Sequence, residues 1–134
     1  MINVFTGSRR LEPHEEEFVR QEVELTCILG YDIYVGDCPT GVDAVVRQAV
    51  TEQQGETRMW IFEADWKTYG RSAGFWRNRA MLDAALDADD HVTVIGFPRL
   101  GGSDTQHCLK LAIDKGMALT VYPVHLIDPE DVGQ

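Results

Sequence analysis

Residues 91–97 read His-Val-Thr-Val-Ile-Gly-Phe, a nearly unbroken apolar run, and residues 98–103 read Pro-Arg-Leu-Gly-Gly-Ser. A strand that is covered by helices on both faces lacks the alternation of apolar and polar residues that a half-exposed strand shows. The run therefore predicts a central strand of a parallel sheet. The glycine-rich turn leads into apolar residues at helical spacing, Leu109, Ala112 and Ile113, which predict a helix that ends at Gly116.

The order of strand, glycine-containing turn and helix recurs along the chain. Further strands are predicted at 2–6, 32–35, 58–62 and 118–122, and further helices at 13–29, 42–55 and 75–86. Thr40 with Asp43, and Ser103 with Gln106, have the spacing of a capping box at a helix start. Strands that alternate with helices predict an α/β fold, a Rossmann-like three-layer sandwich with a mainly parallel five-stranded sheet.

Length and composition indicate the class of protein. The 134 residues suffice for one globular domain, which we place at 1–124, followed by an acidic, flexible tail at 125–134. The apolar runs are too short to cross a bilayer and the N-terminus lacks a secretory signal, so we expect a cytoplasmic protein. The net charge of −10 argues against general binding to nucleic acids or to anionic membranes. The three cysteines are expected to be free thiols, and the four histidines show no paired spacing for a metal.

Four strand-to-helix turns emerge at the carboxyl edge of such a sheet, where ligands bind at the point of reversed strand order. These turns are residues 7–10, 36–43, 65–79 and 97–105. Their charged residues are seven cations and four aspartates, namely Arg9, Arg10, Lys67, Arg71, Arg77, Arg79 and Arg99 against Asp37, Asp43, Asp65 and Asp104. On an acidic protein, a positive rim with glycine N–H groups and helix N-termini predicts an anion pocket that suits a phosphate-bearing small molecule.

The third turn is chemically the richest stretch of the chain. Residues 65–78 hold two tryptophans, a tyrosine, three cations, two glycines and an aspartate, which is typical of a functional loop. At its end, Arg77 can chelate a phosphate and Asn78 can bind a sugar or a base edge. Arg9 offers the same chemistry beside Ser8 and the Gly7 backbone. The alternative for both arginines is a surface ion pair.

Other candidate residues have more than one interpretation. Asp65 could hold ribose hydroxyls, act as an acid or base with a raised pKa, or cap its own loop. Asp43 is interpreted as a helix-capping group rather than as a catalyst. Trp66 could stack on a base or pack against its neighbours. Cys108 and the adjacent His107 point about 100° apart on a helix, so we do not expect a nucleophile and base pair.

Four motifs lie in order along the chain: Thr6-Gly7-Ser8-Arg9, then Val35 to Asp43, then Ala64-Asp65-Trp66, then Ala73-Gly74 with Arg77-Asn78 and Met81. They resemble the YspA/YpsA-like group of the SLOG (SMF/DprA-LOG) superfamily, which is common in actinobacteria and their phages. The resemblance covers residues 2–122. It implies a Rossmann-like sheet with strand order 3-2-1-4-5, a homodimer, and a site for nucleotides or nucleotide-derived ligands such as ADP-ribose-like molecules.

The turns and the resemblance together indicate a set of ligand-binding residues and require no cofactor or metal. The set is Gly7, Ser8, Arg9, Gly36, Gly41, Asp43, Asp65, Trp66, Gly74, Arg77, Asn78, Gly101, Gly102, Ser103 and Thr105. The phosphate floor is expected at Gly7 to Arg9 and at Gly101 to Thr105. The superfamily's enzymes carry a Pro-Gly-Gly-x-Gly-Thr-x-x-Glu motif after the fourth strand. If Thr105 holds its threonine position, Cys108 stands where the glutamate would be.

This departure favours a binder that senses or sequesters a small phosphorylated nucleotide derivative. The alternative is an N-glycosidic hydrolase, a phosphoribohydrolase or a deoxyribosyl transferase acting on nucleotides, with Asp65 as the expected catalytic carboxylate and Glu63 and Asp104 behind it. A DprA-like DNA-processing accessory is a third possibility, against which the net charge of −10 argues.

Overall fold

Helices and strands alternate in the order that the sequence predicts. The computed structural model describes residues 1–132. The strands are β1 (Ile2–Gly7), β2 (Asp32–Gly36), β3 (Met59–Phe62), β4 (Val92–Phe97) and β5 (Ala118–Val121). The helices are α1 (Pro13–Ile28), α2 (Gly41–Glu52), α3 (Trp66–Tyr69), α4 (Ala73–Ala88) and α5 (Ser103–Asp114). The glycine-rich turns precede α2 and α5, as expected.

The five strands form one sheet in the order β3-β2-β1-β4-β5, and every neighbouring pair is parallel. This confirms the α/β class, the Rossmann-like architecture and the expected strand order. From β1 the chain moves outward to β2 and β3, and then crosses back to β4 on the other side of β1. The reversal therefore lies between β1 and β4, the place where ligands bind in sheets of this kind.

Each face of the sheet packs against its own helices. On one face, Phe5 of β1 belongs to a buried cluster with Val19 of α1 and residues of α2. On the other face, Val4 belongs to a second cluster with Met81 of α4 and Cys108 of α5. Val4 and Phe5 are neighbours that point to opposite faces, and both are fully buried. Burial of both faces is the reason why β1 and β4 are apolar runs without alternation.

The capping boxes predicted at the starts of α2 and α5 are wrong. The Thr40 hydroxyl donates instead to the Arg9 carbonyl at 2.8 Å, in the turn after β1. Asp43 accepts a hydrogen bond from the Cys38 N–H at 3.2 Å, outside its own helix. α5 begins after Gly102, which has no side chain that could cap it. Polar side chains at this edge thus join neighbouring turns to one another, so they are not available as caps.

Residues 65–78 are not a single loop. α3 follows Asp65, the 3₁₀ turn Gly70–Ser72 comes next, and α4 already begins at Ala73. On α4, Leu82 and Ala85 are fully buried as the apolar pattern predicts, whereas Leu86 is 39% exposed and does not belong to the buried stripe. The segment therefore consists of a short exposed helix and the first turns of a packed one.

The chain stays packed beyond the predicted domain end at residue 124. Val124 is fully buried in a 3₁₀ turn, Val124–Leu126, and Ile127 packs against the cluster that contains Phe5. The packed part of the domain therefore extends at least to residue 127. The end of the predicted tail, residues 133–134, lies outside the described residues.

Candidate functional site

A cleft of about 440 Å³ opens at the carboxyl edge of the sheet, where the turns after β1 and β4 meet. The turn after β2 and the helices α4 and α5 complete its walls. The lining residues are Phe5, Thr6, Gly7, Ser8, Arg9, Arg10, Gly36, Cys38, Asp43, Arg77, Asn78, Met81, Arg99, Leu100, Gly101, Gly102, Ser103, Asp104 and Thr105. Small-molecule sites typically have volumes of about 300–1,000 Å³, so the cleft has the size of a ligand site.

Most of the predicted ligand-binding residues line this cleft. They are Gly7, Ser8, Arg9, Gly36, Asp43, Arg77, Asn78, Gly101, Gly102, Ser103 and Thr105. The other four lie elsewhere. Gly41 has φ +72°, and a Cβ there would lie 2.1 Å from the Ser8 carbonyl oxygen, so this glycine serves the packing of two turns. Gly74 is buried in the first turn of α4, and neither Asp65 nor Trp66 lines the cleft.

Arg77 is the most buried of the cleft's cations, with a side chain that is only 8% exposed. Its Nη1 donates to Asp37 Oδ1 at 2.8 Å, and its Nε donates to Asn78 Oδ1 at 2.8 Å. The Asn78 amide donates in turn to the Asp104 carbonyl at 3.4 Å, at the start of α5. Arg77 and Asn78 thus connect the turn after β2 to α5. These contacts hold the guanidinium in one place in the cleft wall.

Asp43 is buried in the same wall and does not cap α2. Its Oδ2 accepts the hydrogen bond from Cys38, while burial raises the pKa of its carboxyl and the nearby Arg77 guanidinium offsets part of that rise. A Cβ at Gly36 would lie 2.6 Å from Asp43 Oδ2 and 2.7 Å from Arg77 Nη1. Because Gly36 has no side chain, the Asp43 carboxylate and the Arg77 guanidinium can both pack against its Cα.

Arg47 fixes the turn after β2 from within α2. Its Nη1 donates to the Gly36 carbonyl and its Nη2 to the Cys38 carbonyl, both at 2.9 Å. Two bonds from one planar guanidinium restrict the path of the turn, so Asp37 and the Cys38 N–H keep their places beside the cleft. Sequence reasoning missed Arg47 because it stands in mid-helix outside any motif.

The turn after β1 forms part of the cleft wall, but the hydrogen-bond donors of Ser8 are already used within the protein. The Ser8 N–H donates to the Phe97 carbonyl at 3.0 Å, and the Ser8 hydroxyl donates to the Arg10 carbonyl at 2.7 Å. A Cβ at Gly7 would lie 2.5 Å from Val42 Cγ2, so this glycine is required for packing. One half of the expected phosphate floor therefore has its Ser8 donors already engaged.

The start of α5 keeps its donors free. No side chain caps its first turn, so the N–H groups of Ser103, Asp104 and Thr105 have no helical acceptor. These residues line the cleft, at the positive end of the helix dipole, where anions bind. Gly101, at φ +85°, provides the tight turn that brings the helix start to this position.

The charges of the lining are four arginines and two aspartates, namely Arg9, Arg10, Arg77 and Arg99 with Asp43 and Asp104. The lining is therefore positive overall. Arg9 pairs with Asp104 at 2.7 Å on the exposed side, and Arg99 pairs with Glu15 of α1. Three cations that the sequence assigns to the same rim, Lys67, Arg71 and Arg79, do not line the cleft. Only four of the seven predicted rim cations therefore line the cleft.

Asp65 lies in a separate depression, lined also by Tyr69, Trp76 and Arg79, and Arg77 lines this depression as well as the cleft. Its Oδ1 accepts a hydrogen bond from the Thr68 N–H at 3.1 Å and caps α3. Hydrogen bonds from Thr68 lower the pKa of the Asp65 carboxyl, so the interpretation as an acid or base with a raised pKa is wrong. Of the three interpretations, the cap is the one that the contacts support.

Cys108, which follows Thr105 by three positions on α5, is fully buried. Burial raises the pKa of its thiol to about 11, so the thiol stays protonated at neutral pH. The ring of His107 packs against Phe75 with 3.9 Å between centroids. This pair therefore supplies no activated nucleophile. Among residues 1–132, no group of three or more histidine, cysteine or acidic residues could hold a metal ion.

No family model, curated protein or solved structure matches the chain. In the described part of the chain, no helix combines the length and apolarity that a membrane span needs. Function must therefore be argued from the cleft. A fixed guanidinium, a buried carboxylate and an uncapped helix start together suit one molecule that carries both an anionic group and a hydrogen-bond donor.

Proposed function

We propose that the cleft binds a small phosphorylated nucleotide or a nucleotide-derived, ADP-ribose-like ligand, and that the protein senses or sequesters it. The observation that carries the proposal is the position of Arg77, 8% exposed and fixed by Asp37 and Asn78, beside the uncapped start of α5. A guanidinium held in place loses little conformational entropy when it binds a phosphate. The strand order is the one that a YspA/YpsA-like protein of the SLOG superfamily would have, and membership of that group is part of the proposal.

The phosphate is assigned to the first turn of α5. Three backbone N–H groups without helical acceptors offer hydrogen bonds to its oxygens, and the helix dipole adds a favourable field. Arg9 and Arg99 also line the cleft, where Arg9 is paired with Asp104 and Arg99 with Glu15. The rest of the ligand then extends along the wall of Arg77 and Asp43. No cofactor is needed for this function, and a nucleotide ligand is consistent with a cytoplasmic protein.

One observation favours a second candidate, an N-glycosidic hydrolase or transferase that acts on nucleotides. Such chemistry requires a carboxylate near the anomeric carbon, and Asp43 is a buried carboxylate in the cleft wall. Asp65, the carboxylate that the sequence favours for this role, lies outside the cleft. Release of free base from a nucleoside monophosphate would establish enzymatic activity. Tight binding without turnover would exclude it and support a binding protein.

A thermal-shift panel tests the proposed function. NAD, ADP-ribose, cyclic ADP-ribose, AMP and the common nucleotides are each added to the wild type, to Arg77→Ala and to Arg79→Ala. At least one compound should raise the Tm of the wild type and of Arg79→Ala, but not that of Arg77→Ala. If no compound raises the Tm, or if Arg77→Ala responds like the wild type, the proposed function is wrong. Sedimentation of the same samples measures whether the protein is the expected homodimer.

A further inference from the structure

Asp43 has an unusual position for a carboxylate in an anion-binding cleft. The residue is 8% exposed and lines the cleft. Its Oδ2 accepts a hydrogen bond from the Cys38 N–H, whereas its Oδ1 has no hydrogen-bond partner among residues 1–132. Oδ1 is also not among the fully buried polar atoms that lack a partner, so it keeps some solvent access, and Asp43 lines the cleft. One oxygen of a largely buried carboxylate is therefore open to a ligand.

The cations around Asp43 are committed to other groups. Arg77 donates to Asp37 and to Asn78, and Arg47 donates to two backbone carbonyls of the turn after β2. None of the salt bridges within residues 1–132 includes Asp43. The neighbouring guanidinium groups therefore favour its negative charge through space, but they leave Oδ1 without a donor.

In its ionised form, which the nearby Arg77 and Arg47 favour, the Asp43 carboxylate can only accept hydrogen bonds, so its open Oδ1 requires a donor from the ligand. Phosphate and pyrophosphate oxygens at neutral pH are acceptors that carry negative charge, and Asp43 repels them. In a phosphorylated nucleoside, the donors nearest to the phosphate are the ribose hydroxyls. Asp43 Oδ2 and Arg77 Nη1 both lie beside Gly36, and Arg77 is hydrogen-bonded to Asn78, which donates to the Asp104 carbonyl at the start of α5, where the proposed function places the phosphate. A carboxylate linked to the phosphate site by these contacts suits the sugar, which adjoins the phosphate, better than the base.

We propose that Asp43 Oδ1 accepts a hydrogen bond from the ribose 2′,3′-diol of the ligand, and so makes the cleft selective for ribonucleotide-type ligands over their deoxy analogues. The inference rests on the proposed function and names the sugar that the site accepts. A site whose buried acceptor is left unpaired discriminates strongly against a ligand that lacks the hydroxyl. Asp43 is thus a specificity-determining residue, in addition to the phosphate-binding groups of α5.

Calorimetric titration with AMP, 2′-deoxy-AMP and 3′-deoxy-AMP tests this inference. A hydrogen bond to a charged group corresponds to a factor of about 10 to 100 in affinity, so at least one deoxy analogue should bind the wild type at least ~10-fold more weakly than AMP. In Asp43→Ala the preference should fall to about 2-fold or less, because the acceptor is gone. The matched control is Asp65→Asn, an aspartate outside the cleft whose cap an asparagine can replace, and it should keep the wild-type preference.

Inorganic phosphate separates a role in recognition from a role in folding. Asp43→Asn should bind phosphate at least as tightly as the wild type, since a negative charge has been removed. Equal binding of AMP and both deoxy analogues to the wild type would overturn the inference. So would a parallel loss of phosphate and AMP binding in Asp43→Asn, because Asp43 would then only shape the cleft. If AMP does not bind at all, the inference also fails. The proposed function fails with it only if no other compound of the thermal-shift panel binds either.

Discussion

Trp66 and Arg77 stand near the two ends of the same segment, yet Trp66 is 52% exposed and the side chain of Arg77 is 8% exposed. The first end carries Asp65, which caps a four-residue helix by accepting a hydrogen bond from the Thr68 N–H. The second end joins the turn after β2 to the start of α5. Both ends are rich in polar and aromatic groups. The difference is that the second end contacts turns that follow other strands, since Arg77 bonds Asp37 after β2 and Asn78 bonds Asp104 after β4.

The difference arises from the periodicity of α4. Ala73 and Gly74 are buried, Trp76 is 42% exposed, and the side chain of Arg77 is only 8% exposed. A helix presents successive residues about 100° apart, so neighbours with similar chemistry reach different surroundings. Arg79 illustrates this, since its guanidinium lies 5.9 Å from the centroid of the exposed Trp76 ring. The cleft and the separate depression therefore share Arg77, whereas Asn78 lines only the cleft, and Trp76 and Arg79 line only the depression.

The largest expected effect is that of Arg77→Ala. The substitution leaves Asp37 without its ion-pair partner and Asn78 without its donor, and we expect a loss of about 2 kcal/mol in the free energy of unfolding. Arg79→Ala is the control on the same helix and should cost about 0.5 kcal/mol, the size of an exposed cation–π contact. Urea denaturation measures both. An equal cost for the two variants would contradict the distinction between the two faces of α4.

Gly36→Ala comes next in size. The new Cβ would meet Asp43 Oδ2 and Arg77 Nη1 below 3 Å, so the carboxylate and the guanidinium must move apart. We expect a cost of about 1–2 kcal/mol in stability and a ~10-fold loss of affinity for the nucleotide that the thermal-shift panel selects. In Gly55→Ala the Cβ has only the Gln53 carbonyl oxygen nearby, at 3.9 Å, and affinity should not change. Unchanged affinity in Gly36→Ala would show that the two groups do not act together.

Asp43 and Asp65 should respond to pH with opposite signs. Burial raises the folded-state pKa of Asp43 above the ordinary value of 3.8, so the stability that its protonated form contributes is present below that value and is lost as the pH rises through the folded pKa. Hydrogen bonds from Thr68 lower the folded-state pKa of Asp65, so its contribution is present above 3.8 and is lost as the pH falls through the folded pKa. The groups around Asp43 are Arg77, Arg47 and Asp37, and the two arginines stay charged throughout.

As the pH rises from acid to neutral, the stability of Asp43→Asn should therefore increase relative to that of the wild type. The stability of Asp65→Asn should decrease relative to the wild type over the same rise. The melting temperatures of the three proteins across this range provide the measurement. Two variants that follow the same trend would mean that the two carboxyls do not differ in their surroundings.

The smallest effect is expected for Trp66→Ala. The side chain is exposed and lies outside the cleft, so nucleotide affinity should stay within about 2-fold of the wild-type value. Calorimetric titration with the compound selected by the panel measures this. A loss of affinity of about 10-fold or more would show that Trp66 contributes to the ligand site.

The fold could be predicted to a large extent, because each of the first four strands is an apolar run that is followed by a glycine-containing turn and an apolar helical pattern. The site could be predicted in part. Arg77, Asn78 and the start of α5 were found from their place after a strand. The role of Asp37 could not be found, since its contact with Arg77 spans 40 positions of the chain and no local pattern encodes it. Asp43 is in the predicted ligand-binding set, but its contact with the Cys38 N–H could not be predicted, since its local spacing fits a cap and only the packed turn after β2 shows otherwise.

The most direct test of the binding site is a titration of isotope-labelled protein with AMP, followed by nuclear magnetic resonance. The backbone N–H signals of Ser103, Asp104 and Thr105 and the side-chain amide of Asn78 should shift together, while the indole N–H of Trp66 stays unchanged. That result would place the ligand between α5 and Arg77. Shifts confined to Trp66, Tyr69 and Trp76, with no change at the start of α5, would contradict the account.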